Sequence, residues 1–430
     1  MRQILRLVTL TLCASLLATI MTGQAAFAGR ASVEIAFWHD WTGEGGDGVV
    51  AVVDAFNKSQ SSIVVKPTVT PDLGTKLLAS VAGKVPPDVV LFDRYMTGQY
   101  ASRDALTPLD SYIARDKVDP SAFFEACWNE TVYRGKTYSI PFETNSRVLM
   151  YNKRLFKEAG LDPSKPPKTW DDLVRYSKAL TKRDEKGRLV QVGFVPIWNG
   201  VSLIHYLWQA GGEVFNSDAT EVAFNGPEGT KALEWVVSLV DYYGYDNLVS
   251  LAAGFGSHLS DPFYTGKVAM KSEGCWMLSD MRKYAPKLVA DDLGIAPLPQ
   301  DKVRATIAGG FSLVIPKGAR NADAAWEFIK FAVSKDAQVL FARKVGTIPA
   351  LKAAALDPQV AGEPLLKPFI DAMEHARYRP VHPAFPEVES YIYQAVDKAV
   401  HGEMSPKAAL EWAASRAQKV LDRYNKHLGR

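Results

Sequence analysis

Aromatic and hydrogen-bonding side chains follow five strand-like segments of this sequence, and their chemistry suits a hydroxyl-rich ligand. Carboxylates and amides exchange several hydrogen bonds with hydroxyl groups, while indole faces cover the C–H patches of a sugar ring. A single tryptophan is more often part of a core, so the interpretation depends on the repetition of the pattern. The residues concerned are Trp38, His39, Trp41, Asp93, Arg94, Glu143, Asn145, Trp198 and Trp276.

Strand-like and helix-like segments alternate along the 430 residues, which predicts an α/β fold. The chain is longer than a single core usually grows, so about two domains are expected. Val33, Ile35 and Phe37 alternate as in a strand, and residues 89–92 form the apolar run typical of a parallel strand covered on both faces. We therefore expect mostly parallel sheets flanked by helices, with a ligand beyond the carboxyl ends of the strands.

Capping residues predict where two of the helices begin. Thr169 and Asp172 form a capping-box pattern ahead of a helical segment. Asn321 precedes a second helical pattern, and its side chain is expected to cap that helix.

Motifs for chemistry on nucleotides or metals are incomplete. Residues 43–48 match the glycine pattern of a dinucleotide-binding turn, but residues 38–42 separate them from the strand, which favours a simple turn into a helix. The seven histidines lack the spacing of metal ligands. We therefore predict no metal, no cofactor and no catalytic residue, hence a binding protein rather than an enzyme. A secreted glycoside hydrolase using Asp93 and Glu143 stays open, because the distance between the two carboxylates decides it.

Residues 1–28 are predicted to be a cleaved secretory signal peptide. An uncharged apolar run follows Arg2 and Arg6, and an A-x-A site ends at Ala28. A membrane anchor is the first alternative, but the run is shorter than the ~20 residues that a bilayer span needs. Lipoprotein processing at Cys13 is the second, and the bulky residue before that cysteine disfavours it. The mature protein is expected in the periplasm.

The charge balance excludes bulk attraction to nucleic acid or to an anionic membrane. The formal charge is +3, and it falls to +1 after cleavage because residues 1–28 carry two arginines and no acids. Such a chain has no excess positive field. We predict no nucleic-acid partner and expect a monomer.

Eleven stretches, read in chain order, resemble the extracellular solute-binding proteins of bacterial ABC importers, the group that contains the maltose-binding protein. The series spans most of the mature chain, and it is specific for the family rather than for a particular solute. The stretches are IAFWH (35–39), PDVV (87–90), YRGKTYSIPF (133–142), LMYNK (149–153), PKTW (167–170), GKVAM (266–270), GCW (274–276), GG (309–310), PKG (316–318), AAWEF (324–328) and GTIP (346–349).

The resemblance implies a type II-like periplasmic-binding-protein fold, in which two α/β lobes are joined by crossing segments and the ligand lies in the cleft between them. The expected first lobe comprises residues 29–141 and 300–334, and the expected second lobe comprises residues 142–299 and 335–430. The crossings are expected near Pro141 to Ser146, near Gly294 to Pro299 and near Ser334 to Lys344.

The resemblance also implies the ligand, the partner and further site residues. The ligand is expected to be a mono- or oligosaccharide, which lobe closure captures for delivery to permease subunits in the membrane. Gly309 and Gly310 match a stretch where the main chain approaches the ligand. Tyr378 and Arg379 lie in a loop that resembles one supplying a late polar contact.

Two alternatives for the arginines stay open. In the first, the chain is a receptor for a phosphorylated polyol such as a glycerol phosphodiester. Arg94, Arg377 or Arg379 could then hold the phosphate of this ligand. In the second, residues 377–380 form a surface loop, and Arg377 and Arg379 are solvated.

Cys127 and Cys275 remain after cleavage in an oxidising compartment, where two thiols often pair. The resemblance places one in each lobe, and a disulfide between them would pin the hinge. We therefore expect two unpaired, mostly buried thiols.

Overall fold

The computed structural model describes residues 32–196, 203–253, 261–427 and 429; the predicted signal peptide and Trp198 lie outside the described residues. The strands are β1 (Val33–His39), β2 (Ile63–Val69), β3 (Val89–Asp93), β4 (Val132–Tyr133), β5 (Lys136–Thr137), β6 (Ile140–Pro141), β7 (Glu143–Thr144), β8 (Arg147–Asn152), β9 (Lys182–Arg183), β10 (Leu189–Phe194), β11 (Val268–Gly274), β12 (Leu293–Ala296), β13 (Thr306–Ile307), β14 (Phe311–Val314), β15 (Ile348–Pro349) and β16 (Ala376–Arg377).

Helices alternate with these strands. They are α1 (Gly43–Ser59), α2 (Leu73–Ala82), α3 (Thr97–Ala101), α4 (Asp110–Asp116), α5 (Glu125–Asn129), α6 (Lys153–Glu158), α7 (Trp170–Leu180), α8 (Leu203–Gln209), α9 (Pro227–Tyr243), α10 (Tyr245–Ala253), α11 (Met277–Tyr284), α12 (Ala322–Ala332), α13 (Lys335–Val345), α14 (Lys352–Ala355), α15 (Pro358–Ala361), α16 (Lys367–Ala372), α17 (Phe385–Val400) and α18 (Pro406–His427). Short 3-10 helices span Arg94–Met96, Pro120–Ala122 and Met373–His375, and a π-helical turn spans Leu288–Asp292.

The first sheet has the strand order β2-β1-β3-β14-β6. β1 runs parallel to β2 and to β3, so the amino-terminal part has the α/β arrangement expected from the sequence. β14 is antiparallel to both of its neighbours, β3 and β6. The polar residues that follow β1 and β3 therefore lie at one edge of the sheet.

The second sheet has the order β12-β8-β11-β10-β9, in which β10 and β11 are parallel and the other pairs are antiparallel. Both sheets are thus mixed, which differs from the expectation of mostly parallel sheets. In the first sheet the parallel strands are β1, β2 and β3. The reason is that β8 and β14 each reach their sheet directly from a crossing segment. A strand that arrives this way needs no helical crossover, which parallel neighbours require.

Two passages of the chain connect the two sheets and are called the first and second crossings. The first runs from β6 in the first sheet through β7 to β8 in the second sheet. The second leaves the second sheet after Ala296 and reaches the first sheet at Phe311.

The third crossing differs from the expectation of Ser334 to Lys344. That segment is α13, which packs against α1 so closely that a Cβ atom on Gly48 would lie 2.4 Å from Val345. The third passage is instead at β16, which pairs with β13 before α17 and α18 pack on α9. Residues 335–345 therefore pack with the first sheet, although the expected boundary assigned them to the second lobe.

The two predicted helix starts have different outcomes. The hydroxyl of Thr169 accepts a hydrogen bond from the amide of Asp172 at 3.1 Å, which confirms the predicted cap of α7. α12 begins directly after Asn321 as predicted, but the Asn321 side chain makes no cap bond. Its amide group donates instead to the carbonyl oxygen of Glu34 at 3.3 Å, so it joins the helix start to β1.

Two large apolar clusters form the core of the described residues. One packs the second sheet against α7 to α9, α17 and α18, and the other packs the first sheet against α1, α12 and α13. The second of these clusters continues across the first crossing to Met150 of β8 and Met281 of α11. Cys127 and Cys275 both lie in it, buried and unpaired, which confirms the predicted free thiols.

Candidate ligand-binding cleft

A cavity of about 560 Å³ lies where the start of α1, the first crossing and α11 meet. Its lining therefore draws on both sheets and on the segment between them. Four predicted site residues line it: Trp41, Glu143, Asn145 and Trp276. The sequence interpretation missed the other lining residues, which are Thr42, Gly43, Glu44, Gly45, Ser279, Asp280, Lys283, Tyr284, Phe311, Val345 and Thr347.

The two indoles of the cavity are held by close packing. The ring of Trp41 meets Phe311 edge to face, with 4.7 Å between ring centroids. Trp276 is 38% exposed and lies beneath the guanidinium of Arg147, 4.3 Å from the ring centroid. A Cβ atom on Gly274 would lie only 1.9 Å from the Trp276 ring, so a glycine is required there. Both rings thus have a fixed position at the cavity wall.

The carboxyl group of Glu143 is buried at the base of the cavity. One of its oxygens accepts a hydrogen bond from the amide of Phe311 at 2.7 Å. Burial raises the pKa of Glu143 to about 8, although the charge of Arg94 and the Phe311 amide act in the opposite direction. Near neutral pH the group is therefore largely protonated, and it can donate a hydrogen bond as well as accept one.

Asn145 and Arg147 form a polar pair beside Trp276. The guanidinium donates to the side-chain oxygen of Asn145 at 2.6 Å. Burial lowers the pKa of Arg147 to about 10, so the group still carries its charge at neutral pH. The pair leaves the amide nitrogen of Asn145 as a donor for the cavity.

One contact spans the cavity from α1 to α11. The hydroxyl of Ser279 donates to the carboxylate of Glu44. Glu44 belongs to α1, which follows β1 of the first sheet, and Ser279 belongs to α11, which follows β11 of the second sheet, so the contact connects the two sides of the cleft. A sequence signal was present for Ser279, since α11 begins directly after Trp276, and for Phe311, which follows the predicted Gly310.

Arg94 was predicted as a ligand contact, and the structure places it away from the cavity wall with 0% exposure. It donates to the Glu130 carboxylate at 3.1 Å and to the carbonyl oxygens of Glu143, Gly309 and Phe311. These acceptors engage each nitrogen of the guanidinium. The residue therefore serves the internal structure of the crossings.

Asp93 and Arg379 pair with each other at the end of β3. The Arg379 guanidinium donates to Asp93 at 3.0 Å, reaches Glu130 at 3.4 Å and stacks 4.1 Å above the ring centroid of Tyr95. Its side chain is only 15% exposed. The loop reading with solvated arginines therefore does not describe Arg379.

Trp38 and His39 precede the cavity in the chain and lie outside its lining. Trp38 packs, half-buried, against the small apolar cluster around Leu73 and Leu77. His39 is buried at 1% exposure, and this burial lowers the pKa of its imidazole. Trp38 and His39 still belong to β1, whereas Trp41 lies in the connection to α1.

The predicted glycines and Tyr378 also have other surroundings. Gly309 and Gly310 are buried in the second crossing, and an added Cβ on Gly310 would lie 2.5 Å from the carbonyl oxygen of Glu143. Tyr378 lines a separate cavity of about 380 Å³. Arg377 borders the same cavity and pairs with Glu213 through both carboxylate oxygens at 2.6 and 2.7 Å.

Within the ranges that the structure describes, no helix combines the length and the apolar character of a membrane span. The same residues contain no group of three or more His, Cys, Asp or Glu side chains placed to hold a metal ion.

The chain belongs to the family of bacterial extracellular solute-binding proteins, which matches residues 51–368. Among solved structures, it is similar to CpMnBP1 with mannotriose bound, with 31% identity, coverage of 90% of this chain and 100% of that one, and a TM-score of 0.80. It is also similar to the sugar-binding protein MalE from Xanthomonas citri, with 25% identity, coverage of 93% and 100%, and a TM-score of 0.80. The fold is accordingly the two-lobe α/β fold of periplasmic binding proteins.

One curated relative is named for a different ligand. The sn-glycerol-3-phosphate-binding periplasmic protein UgpB of Escherichia coli (strain K12) is 25% identical over 428 residues, which cover 92% of this chain and 94% of that protein.

Proposed function

We propose that this chain is the extracytoplasmic solute-binding component of an ABC importer and that it captures a mono- or oligosaccharide between its lobes. The observation that carries the proposal is the cavity lined by Trp41, Glu143, Asn145 and Trp276, which combines two indoles with hydrogen-bonding groups. Such a surface matches the alternation of C–H patches and hydroxyls on a sugar ring. The similarity to a structure with mannotriose bound supports the same ligand class.

In this proposal the protein binds and releases its ligand unchanged, as a monomer in the periplasm after removal of residues 1–28. Permease subunits in the membrane receive the ligand. A ligand that touches α1 and α11 favours the closed arrangement, because only that arrangement offers both sets of contacts. The Glu44–Ser279 contact spans the same gap.

The surroundings of the arginines favour an uncharged sugar over a phosphorylated polyol. Arg94, Arg377 and Arg379 were the groups expected to hold a phosphate, and each is already engaged by carboxylates or carbonyl oxygens. A phosphate would have to displace these internal partners. None of these three arginines is therefore free to hold a phosphate while its present partners stay bound.

A thermal-shift panel tests the proposal. The mature protein is heated with mannotriose, mannobiose, maltose and sn-glycerol 3-phosphate, and a sugar at 100 times Kd is expected to add about 2.7 kcal/mol to the free energy of unfolding. Replacing Trp276 by Ala is expected to abolish most of the shift, because the ring at the cavity wall is lost.

The matched control is Trp412→Ala. Trp412 also lies beneath an arginine, with Arg416 4.2 Å from its ring centroid, but it belongs to α18 and lies outside the cavity lining. This variant should keep the sugar-induced shift. A full shift in W276A would contradict the site assignment, and stabilisation by glycerol phosphate alone would contradict the ligand class.

A further inference from the structure

A single buried guanidinium joins the first two crossings to the end of β3. Arg94 donates to the carbonyl oxygen of Glu143 at 2.8 Å, which lies on the first crossing. It also donates to the carbonyl oxygen of Gly309 at 2.7 Å, on the second crossing, and to that of Phe311 at 3.3 Å, where this crossing enters the first sheet. The close approach depends on Gly310, since a Cβ there would lie 2.9 Å from the guanidinium. These hydrogen bonds form a first tie, which holds both crossings on the first sheet.

An ion network extends this tie to the third crossing. Glu130 has 0% exposure and contacts Arg94 at 3.1 Å and Arg379 at 3.4 Å. Arg379, two residues beyond β16, pairs in turn with Asp93 at 3.0 Å. Two cations and two anions therefore balance each other, which is the condition under which buried charges are tolerated.

A second tie holds the crossings together at the end that meets the second sheet. The hydroxyl of Thr306 accepts a hydrogen bond from the amide of Arg147 and donates to its carbonyl oxygen, each at 2.9 Å. Thr306 also lies opposite Ala376 in the β13–β16 pair. All three crossings are thus tied to one another again, a few residues away from Arg94.

We propose that Arg94 is a positioning residue that holds the crossings within the first lobe, and that the lobes rotate about the short segments 145–146 and 307–308. These segments lie between the two ties. The backbone bond from the amide of Asn145, in the first segment, to the carbonyl oxygen of Gly309, which directly follows the second segment, is 3.3 Å long, just beyond the usual range. The inference rests on the proposed function, since lobe rotation is part of that function.

In this arrangement Glu143 moves with the first lobe. Its main chain is bonded to Arg94 and its side chain to the Phe311 amide, so closure brings α11 towards a carboxyl group that stays fixed on the first sheet. Trp276 and Ser279, which adjoin α11 or belong to it, travel with the second lobe.

Arg94→Lys tests the tie. Lysine keeps the charge beside Glu130 but lacks the fixed fork that reaches three carbonyl oxygens. Spin labels are attached at Lys58→Cys and Glu234→Cys, two exposed positions on α1 and α9. Double electron–electron resonance measures the distance between the labels without ligand. The native thiols are buried and stay unlabelled. The distribution is expected to broaden in R94K, and mannotriose binding is expected to weaken about tenfold, since hydrogen bonds of charged groups are lost.

The matched control is Arg183→Lys, because Arg183 also donates to three carbonyl oxygens, those of Gly187, Tyr242 and Tyr243, but at an exposed edge of the second sheet. Its distance distribution should equal that of the wild type. A folded R94K protein with the wild-type distribution would overturn the proposal.

Native-state hydrogen exchange gives a second arm in case R94K does not fold. In the wild-type protein the Phe311 amide should be as protected as the amides of β3, whereas the Asn145 amide should exchange at least about tenfold faster. Equal protection of the two amides would overturn the proposal. Neither the distance nor the exchange measurement needs a sugar, so a failure of sugar binding in the wild type would count against the proposed function alone.

Discussion

The Glu143 carboxyl group couples the stability of the protein to pH. Its ordinary pKa is 4.5, and burial raises it to about 8 in the folded chain. Between these two values the unfolded chain has lost the proton and the folded chain retains it. The unfolded state then binds fewer protons, so the free energy of unfolding falls as the pH rises through this window.

Glu143→Gln should remove this dependence while keeping an oxygen that accepts from Phe311. Between pH 5 and pH 8 the free energy of unfolding of the wild type is expected to fall by about 2–4 kcal/mol more than that of E143Q. Urea unfolding at several pH values measures the difference. Glu234→Gln, at an exposed position of α9, serves as the control and should follow the wild type. Parallel profiles of wild type and E143Q would contradict the raised pKa.

The sequence gives the type of a site residue more reliably than the direction of its side chain. Trp38 and Trp41 both follow the same apolar run, yet Trp41 lines the cavity and Trp38 packs against the cluster around Leu73. Arg94 and Glu143 both follow strand-like segments, yet Arg94 is enclosed by buried acceptors on Glu130 and Gly309, which are far away in the sequence. Contacts of such long range leave no local pattern to read.

At the scale of elements, the second crossing depends on a glycine in a conformation that other residues avoid. Gly310 has a φ of +133°, and its neighbours leave no space for a side chain. Gly310→Ala is expected to lower the free energy of unfolding by about 3 kcal/mol, through backbone strain and through the clash with the Glu143 carbonyl oxygen. Chemical denaturation measures the loss.

Gly402→Ala separates the two contributions. Gly402 also has a positive φ, of +70°, but nothing lies within 4 Å of an added Cβ. Its cost should be about 1 kcal/mol, from the backbone alone. Equal losses for G310A and G402A would show that the crossings do not pack as closely as described.

Local sequence patterns predict where helices and strands lie, but they predict less well which elements pack against each other. The Thr169 cap needs only residues within one turn, and it is present as predicted. The third crossing could not be found in this way, because the helical pattern of residues 335–345 is the same whichever lobe it packs on. Its place on α1 is decided by Gly48, whose missing side chain admits Phe341 and Val345.

At the scale of the whole molecule, the two cysteines report on a core that spans both sheets. Both are buried in one apolar cluster, which continues across the first crossing. The mature, folded protein should therefore react with no equivalent of an aromatic disulfide reagent, and with two after denaturation without reductant. Absence of free thiol in the denatured protein would contradict the unpaired state. A secreted control protein whose cysteines are all paired should show no free thiol before or after denaturation.

The two lobes are not contiguous in the chain, and the order of their parts has a consequence for biogenesis. The apolar face of α9 is covered by α17 and α18, which come much later in the chain than α9. A nascent polypeptide that stops before Phe385 leaves this face open to water, so its second lobe cannot become compact. The second lobe therefore completes its apolar core only after a part of the chain distant from α9 has joined it.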